Sequence, residues 1–141
     1  MTIKQLNPYL MFGGNAGEAM KLYERALGAK VQNAMRYGDV PGNQQPEANK
    51  HRVMHAVLTI GPGVLMMSDE PPGTQVTVGR NSFVCLDFGD AADMQLKFDA
   101  LAIGGTVDAP LTDTFWGAKF GMLTDAFGVR WMFNCYEQKG M

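Results

Sequence analysis

The spacing of apolar positions along this chain switches from alternation to a three-and-four period and back, and the whole series of switches is run through twice. Tyr9-Leu10-Met11-Phe12 is a short apolar run between Pro8 and Gly13-Gly14, which predicts a strand. From Ala16 to Ala26 the positions Ala19, Met20, Tyr23, Ala26 and Leu27 recur at helical spacing, with Glu18, Lys21, Glu24 and Arg25 on the other side. Asn15 is placed to cap that helix and Gly28 to end it. Lys30 to Tyr37 reads as a strand, as do His51 to Ile60 and Val64 to Ser68, the last two joined by the turn Gly61-Pro62-Gly63. The same grammar then restarts. Ser82 to Phe88 is a strand, Asp90 caps a helix carrying Met94, Leu96, Phe98, Leu101 and Ile103, and Gly104-Gly105 stops it. Strands follow at Val107 to Thr112, Lys119 to Leu123 and Val129 to Tyr136, the last after an Asp125-Ala126-Phe127-Gly128 turn.

Each half therefore reads strand, helix, strand, strand, strand, and the sequence itself repeats. Leu58-Thr59-Ile60-Gly61-Pro62-Gly63-Val64 is echoed by Leu123-Thr124-Asp125-Ala126-Phe127-Gly128-Val129. Ala26-Leu27-Gly28-Ala29-Lys30-Val31 is matched by Ala100-Leu101 with Gly104-Gly105-Thr106-Val107. Such self-similarity marks two fused copies of one supersecondary unit. The expected fold is α+β: two tandem βαβββ modules whose curved mixed sheets surround a cavity, with one helix per module on the outer face. The expected organisation is a single domain, 1–141, with module one at about 5–70, a linker at about 71–80 and module two at about 81–138.

Composition narrows the partners. With 12 basic and 14 acidic residues the chain has no electrostatic footprint for nucleic acid or an acidic membrane surface. No apolar run reaches the roughly 18 residues of a membrane helix, and the opening Met1-Thr2-Ile3-Lys4-Gln5 lacks a leader pattern, so a cytoplasmic protein is expected. Cys85 and Cys135 are too few for a disulfide framework and lack metal-ligand spacing, which fits a reducing compartment. Eleven methionines suit an adaptable apolar pocket, and equally a Met-filled core.

Particular residues carry a family resemblance across essentially the whole chain. Asn7-Pro8-Tyr9-Leu10, Gly13-Gly14-Asn15-Ala16 and Tyr23-Glu24-Arg25-Ala26-Leu27-Gly28-Ala29 resemble the opening of the PhnB-like branch of the vicinal oxygen chelate superfamily, which includes glyoxalase I, bleomycin-resistance proteins and extradiol dioxygenases. His55-Ala56, Ile60-Gly61, Met66-Met67-Ser68-Asp69, Asp113-Thr114-Phe115-Trp116-Gly117 and Thr124-Asp125-Ala126-Phe127-Gly128-Val129-Arg130-Trp131 continue the match in order. The resemblance implies paired βαβββ modules and a homodimer. It also implies, for the superfamily's enzymes, a divalent metal held by His, Glu or Gln on the first and last strands of each module. Counting four residues past each turn glycine places the last-strand positions at Met67 and Met132, and the first-strand positions fall near Pro8 and Phe83. A thioether is a soft ligand, and proline and phenylalanine offer no side-chain donor, so no glyoxalase-type metal site is expected.

Strand alternation then sorts the side chains. On the last strand Trp131, Phe133 and Cys135 share the heavier apolar face, leaving Met132, Asn134 and Tyr136 on the other. On the strand from Val53, the residues Met54, Ala56 and Leu58 form the plain apolar side, which turns Val53, His55, Val57 and Thr59 toward the concave side. His55 is then the leading candidate for acid, base or anion-binding work, against a purely structural hydrogen bond between strands. Asp69 is the weaker catalytic candidate, against a turn-capping carboxylate. Asp87 and Cys85 face together, while Cys135 shares the face of Trp131, so a disulfide is not expected. Phe115-Trp116-Gly117 at the join of two strands offers an aromatic clamp or a turn anchor, and the stretch Gly38 to Lys50 a lid or a plain connector. Gly13-Gly14-Asn15-Ala16-Gly17 has neither GxGxxG nor Gly-Lys-Ser/Thr, so it is a strand-to-helix turn, not a phosphate loop.

Two readings follow. In one, the chain binds a small molecule without metal or catalysis, in a cavity lined by Tyr9, Phe12, His55, Met67, Phe83, Trp116, Met132 and Asn134 at the centre of a homodimer. In the other it is a lyase, isomerase or dioxygenase-type enzyme, either through His55 or through a divalent metal on an alternative set such as His55, Asp69 and Asn134.

Overall fold

The computed structural model describes residues 2–42 and 46–136, so positions 43–45 of the loop expected as a lid, and 137–138 at the end of module two, lie outside the described residues. The chain divides into two compact units, Met1–Thr77 and Val78–Met141, each α+β and each built on one four-stranded mixed sheet and one helix.

The first unit runs β1 (Tyr9–Phe12), α1 (Ala16–Leu27), β2 (Lys30–Arg36), β3 (Val53–Ile60) and β4 (Gly63–Asp69). Its sheet has the order β1-β4-β3-β2, with β1 parallel to β4 and the other pairs antiparallel. The second unit repeats this with β5 (Val84–Asp87), α2 (Ala91–Ala102), β6 (Thr106–Asp113), β7 (Ala118–Thr124) and β8 (Arg130–Tyr136) in the order β5-β8-β7-β6. Single turns of 3-10 helix at Tyr37–Asp39 and Glu47–Asn49 interrupt the long β2–β3 connection.

Each helix covers one face of its own sheet. In α1 the residues Ala16, Ala19, Met20, Leu22, Tyr23, Ala26 and Leu27 are buried, as the three-and-four spacing requires, and Ala56, Leu58, Leu65 and Met67 of β3 and β4 complete that core. In α2 only Met94, Phe98 and Leu101 are buried; Leu96 is 71% exposed and Ile103 also lies outside the core, so the apolar stripe is narrower than the sequence suggests. Phe98 meets Phe133 edge to face with ring centroids 5.0 Å apart, and Phe88 stacks on Phe133 at 5.4 Å.

The α1 cap corrects another expectation. Asn15 occupies the N-cap position but makes no side-chain cap bond; the first-turn amide of Ala16, with that of Gly14, donates instead to Asp69 Oδ1 at 3.0 and 2.8 Å. A carboxylate from the end of β4 thus supplies the negative charge that a helix N-terminus favours. Gly28, at φ +70°, closes the helix in the left-handed conformation that glycine adopts without strain.

Candidate functional site

Register fixes which side chains share a face. In unit one Tyr9 pairs with Met66, Met66 with Val57 and Val57 with Asn33; the next row joins Met11 to Ser68 and His55 to Met35. These residues occupy the face turned away from α1, because the intervening Leu65, Met67, Ala56 and Leu58 are buried in the core beneath it. Tyr9 and Met35 are each 44% exposed there, and His55 is half-buried.

His55 is the imidazole of this helix-free face. Tyr9 Oη lies 2.9 Å from its Nδ1, and the rings stack with centroids 5.7 Å apart and an interplanar angle of 27°. Ser68 Oγ donates to the thioether of Met11 at 3.4 Å. The face therefore offers an aromatic pair with one polar edge, set among methionines.

Several sequence expectations are corrected here. Phe12 and Met67, expected to contact ligand, are buried in the α1 core, because β1 and β4 turn those positions toward the helix. Val53, expected beside His55, is fully buried as well: a β-bulge between Met35 and Arg36 inserts Met54 as an extra residue and reverses the alternation at the start of β3. Asp69 is a structural carboxylate. It is 3% exposed, and besides Gly14 and Ala16 it accepts from the backbone N–H of Val53 at 2.8 Å. It thereby ties β1, α1, β3 and β4 together and shares no face with His55. Of the alternative metal set, His55 and Asp69 therefore lie on opposite faces of the unit-one sheet, and among the described residues there is no cluster of three His, Cys, Asp or Glu able to hold a metal ion.

In unit two the corresponding face carries Cys85 and Asp87 of β5, paired with Met132 and Asn134 of β8, and Met122 and Phe120 of β7. Asn134 Nδ2 donates to Asp87 Oδ1 at 3.1 Å. Trp116, half exposed in the β6–β7 turn, meets Phe115 edge to face at 5.0 Å and Phe120 at 6.2 Å. Phe83 lies just before β5 and its ring lies beneath the Arg130 guanidinium, 4.0 Å from the ring centroid. Partial burial first, and the neighbouring Asp87 carboxylate second, raise the pKa of the Cys85 thiol. Cys135 lies in the core, and both cysteines are free thiols.

The two modules correspond with an offset that glycine counting misses. Leu58 pairs with Leu65 and Leu123 with Trp131, so Met66 corresponds to Met132, Ser68 to Asn134, Tyr9 to Cys85 and Met11 to Asp87. The β3–β4 hairpin turns on Gly61 and Pro62 alone, whereas the β7–β8 loop runs from Asp125 to Val129. Gly63 therefore lies within its ladder and Gly128 outside it. Met66 replaces Met67 as the outward-facing position, and Tyr9 and Cys85 replace Pro8 and Phe83. Sequence reasoning missed Asp125, a second buried carboxylate, which accepts from Phe127 N at 2.8 Å, Val129 N at 3.1 Å and the Trp131 indole Nε1 at 2.9 Å. Its only sequence signal is the Asp-x-x-Gly turn.

The duplicated βαβββ architecture defines a class, and comparison with known proteins agrees. The sequence model of the Glyoxalase/Bleomycin resistance protein/Dioxygenase superfamily matches residues 5–133, and the chain belongs to that superfamily. It is 33% identical to Protein YjdN of Escherichia coli (strain K12) over 143 aligned positions, 95% of this chain and 97% of that protein. Protein PA1353 of Pseudomonas aeruginosa is similar in structure, with a TM-score of 0.85 and 40% identity over 96% of this chain and 100% of its own. A PhnB protein from Bacillus cereus shares the fold at a TM-score of 0.74 and 24% identity, over 94% of this chain and 99% of its own.

Proposed function

We propose that this chain binds a small, flat or apolar molecule against the helix-free face of its first module, with no glyoxalase-type metal. The observation that carries the reading is the Tyr9–His55 pair, an aromatic stack with one hydrogen-bonding edge, bordered by Met11, Met35 and Met66. Binding sites of this kind combine apolar walls with a few placed polar groups that orient the ligand. Methionine side chains adapt to irregular ligand shapes. The second module's own helix-free face, with Met132, Asn134 and Phe120 beside Trp116, is a separate candidate surface. A homodimer in the cytoplasm belongs to the same reading, supported by the superfamily resemblance and by two free thiols.

The donor chemistry supports the metal-free part. On this face of unit one the polar side chains include the Tyr9 phenol, the His55 imidazole, the Thr59 and Ser68 hydroxyls, the Asn33 and Gln32 amides and the Lys30 ammonium, with no carboxylate among them. Thioethers stand where a hard or borderline cation needs oxygen or nitrogen. That donor set does not fit the superfamily's divalent site.

A second reading has its own observation. Tyr9 Oη at Nδ1 holds the His55 ring in one orientation, which is how a general acid or base is positioned, so His55 is the residue on which an enzymatic reading rests.

The test is metal analysis of the purified protein, followed by titration with divalent cations and with aromatic probe dyes. The binding reading expects substoichiometric metal and saturable dye binding that His55→Ala weakens. Stoichiometric tight binding of a divalent cation would overturn it.

A further inference from the structure

A cavity of about 210 Å³ lies on the other side of the unit-one sheet, beside the first turns of α1, and is lined by Gly14, Gly17, Glu18, Lys21, Arg36 and His51. The bulge that turns Val53 into the core also builds this cavity. Arg36 pairs with Val53 and so projects on the helix side of β2, whereas its neighbour Met35 projects on the side of His55. Arg36 reaches α1 at Gly17, where a Cβ would lie 3.2 Å from its Nη1. The guanidinium of Arg52 lies in the same way against Gly14, with Nη2 3.1 Å from the place of a Cβ. Arg52 is held by the carbonyl of Glu70 at 3.0 Å.

We propose that this cavity is a binding site for the oxyanion group, phosphate or carboxylate, of a small molecule, with Arg36 and Lys21 as its principal ligands. Charge decides the ligand class. Two permanent cations, Arg36 and Lys21, line the cavity with His51 against one lining carboxylate, Glu18; of the other acidic groups nearby, Asp39 accepts from the Arg36 backbone N–H at 2.9 Å and Asp69 is engaged by the amides of Gly14, Ala16 and Val53. Among the described residues the Arg36 side chain makes a single hydrogen bond, from Nη1 to the His51 carbonyl at 3.1 Å, and Lys21 pairs with no carboxylate. A guanidinium has five N–H donors in a planar fork that matches an oxyanion, so most of the fork is available. The helix terminus is not the source of the site, because Asp69 already takes the amides of Gly14 and Ala16. Volume decides the size: drug-sized ligands fill roughly 300–1,000 Å³, so this space suits one anionic group with its water. The site lies on the opposite face from Tyr9 and His55 and is independent of the function proposed for them.

Inorganic phosphate and acetate, titrated separately at constant ionic strength against a sodium chloride control, test the proposal through backbone amide NMR shifts. Saturable shifts confined to the cavity residues are expected with at least one of the two anions and not with chloride, and which anion binds identifies the group. Arg36→Gln is expected to raise the dissociation constant about tenfold, the loss of one charge-assisted contact. Lys21→Gln, on an exposed position that leaves the bulge intact, is expected to raise it several-fold with an unchanged amide spectrum elsewhere. Shifts that grow linearly with both anions, or equal affinity in wild type and Lys21→Gln, would overturn the proposal.

Discussion

Tyr9 on β1 reaches across β4 to place its phenol oxygen 2.9 Å from Nδ1 of His55 on β3, so the two side chains bridge the strand that separates them. Removing only the hydroxyl isolates that contact. Tyr9→Phe keeps the stacked ring and is expected to cost less than about 1 kcal/mol, as suits a hydrogen bond open to water. The His55 side-chain nitrogen resonances are expected to change, since Nδ1 loses its partner and the tautomer preference is released. An unchanged nitrogen spectrum would show that the contact does not form in solution.

Asp69 and Asp125 are expected to matter for folding. Asp69→Ala strands three backbone N–H groups, and at roughly 1–3 kcal/mol for each buried donor left unsatisfied the loss reaches about 3 kcal/mol or more. Urea denaturation measures it. Trp131→Phe removes one donor from Asp125 and some packing, and a loss of about 2 kcal/mol is expected. A variant of either residue as stable as wild type would contradict this assignment.

The pH dependence of thiol alkylation separates the cysteines. The raised pKa of Cys85 keeps its thiolate scarcer at mild alkaline pH than in an ordinary thiol, so iodoacetamide reacts slowly and speeds up as pH rises through the raised value. The same shift means that the folded chain holds this proton longer than the unfolded one. Its contribution to stability is present below the unfolded pKa and is lost as pH rises through the folded one. Asp87→Asn removes the second cause and is expected to move the rate profile to lower pH. Cys135 is expected to react only on unfolding.

Glycine replacements test the close approaches in unit two. A Cβ at Gly105 would fall 2.2 Å from the Thr124 carbonyl oxygen, a backbone atom that cannot rotate away, whereas a Cβ at Gly89 meets nothing within 4 Å. Gly105→Ala is expected to lower stability by about 1–3 kcal/mol or more, as overpacking does, and Gly89→Ala to leave it nearly unchanged. Thermal unfolding of the two variants distinguishes them.

The order of elements was legible because local signals state it directly. The three-and-four spacing from Ala16 to Leu27, the left-handed stop at Gly28 and the two echoed turns each depend on residues close in sequence. Alternation along β8 likewise placed Met132 and Asn134 on one face and Trp131 and Phe133 on the other. Alternation failed at Val53, and counting from the turn glycine failed at Met67. A single inserted residue or a longer loop shifts a two-residue period by half, and neither signal lies in the strand itself.

The sequence by itself determined the duplicated α+β fold and the superfamily, both of which rest on residue type and local spacing. Only the tertiary structure decided what the polar residues do. It brought Tyr9 to His55 across an intervening strand, engaged Asp69 with amides from two separate segments, and turned Arg36 toward α1 through one bulge. Those outcomes depend on pairing register between distant strands, which periodicity within one strand does not encode.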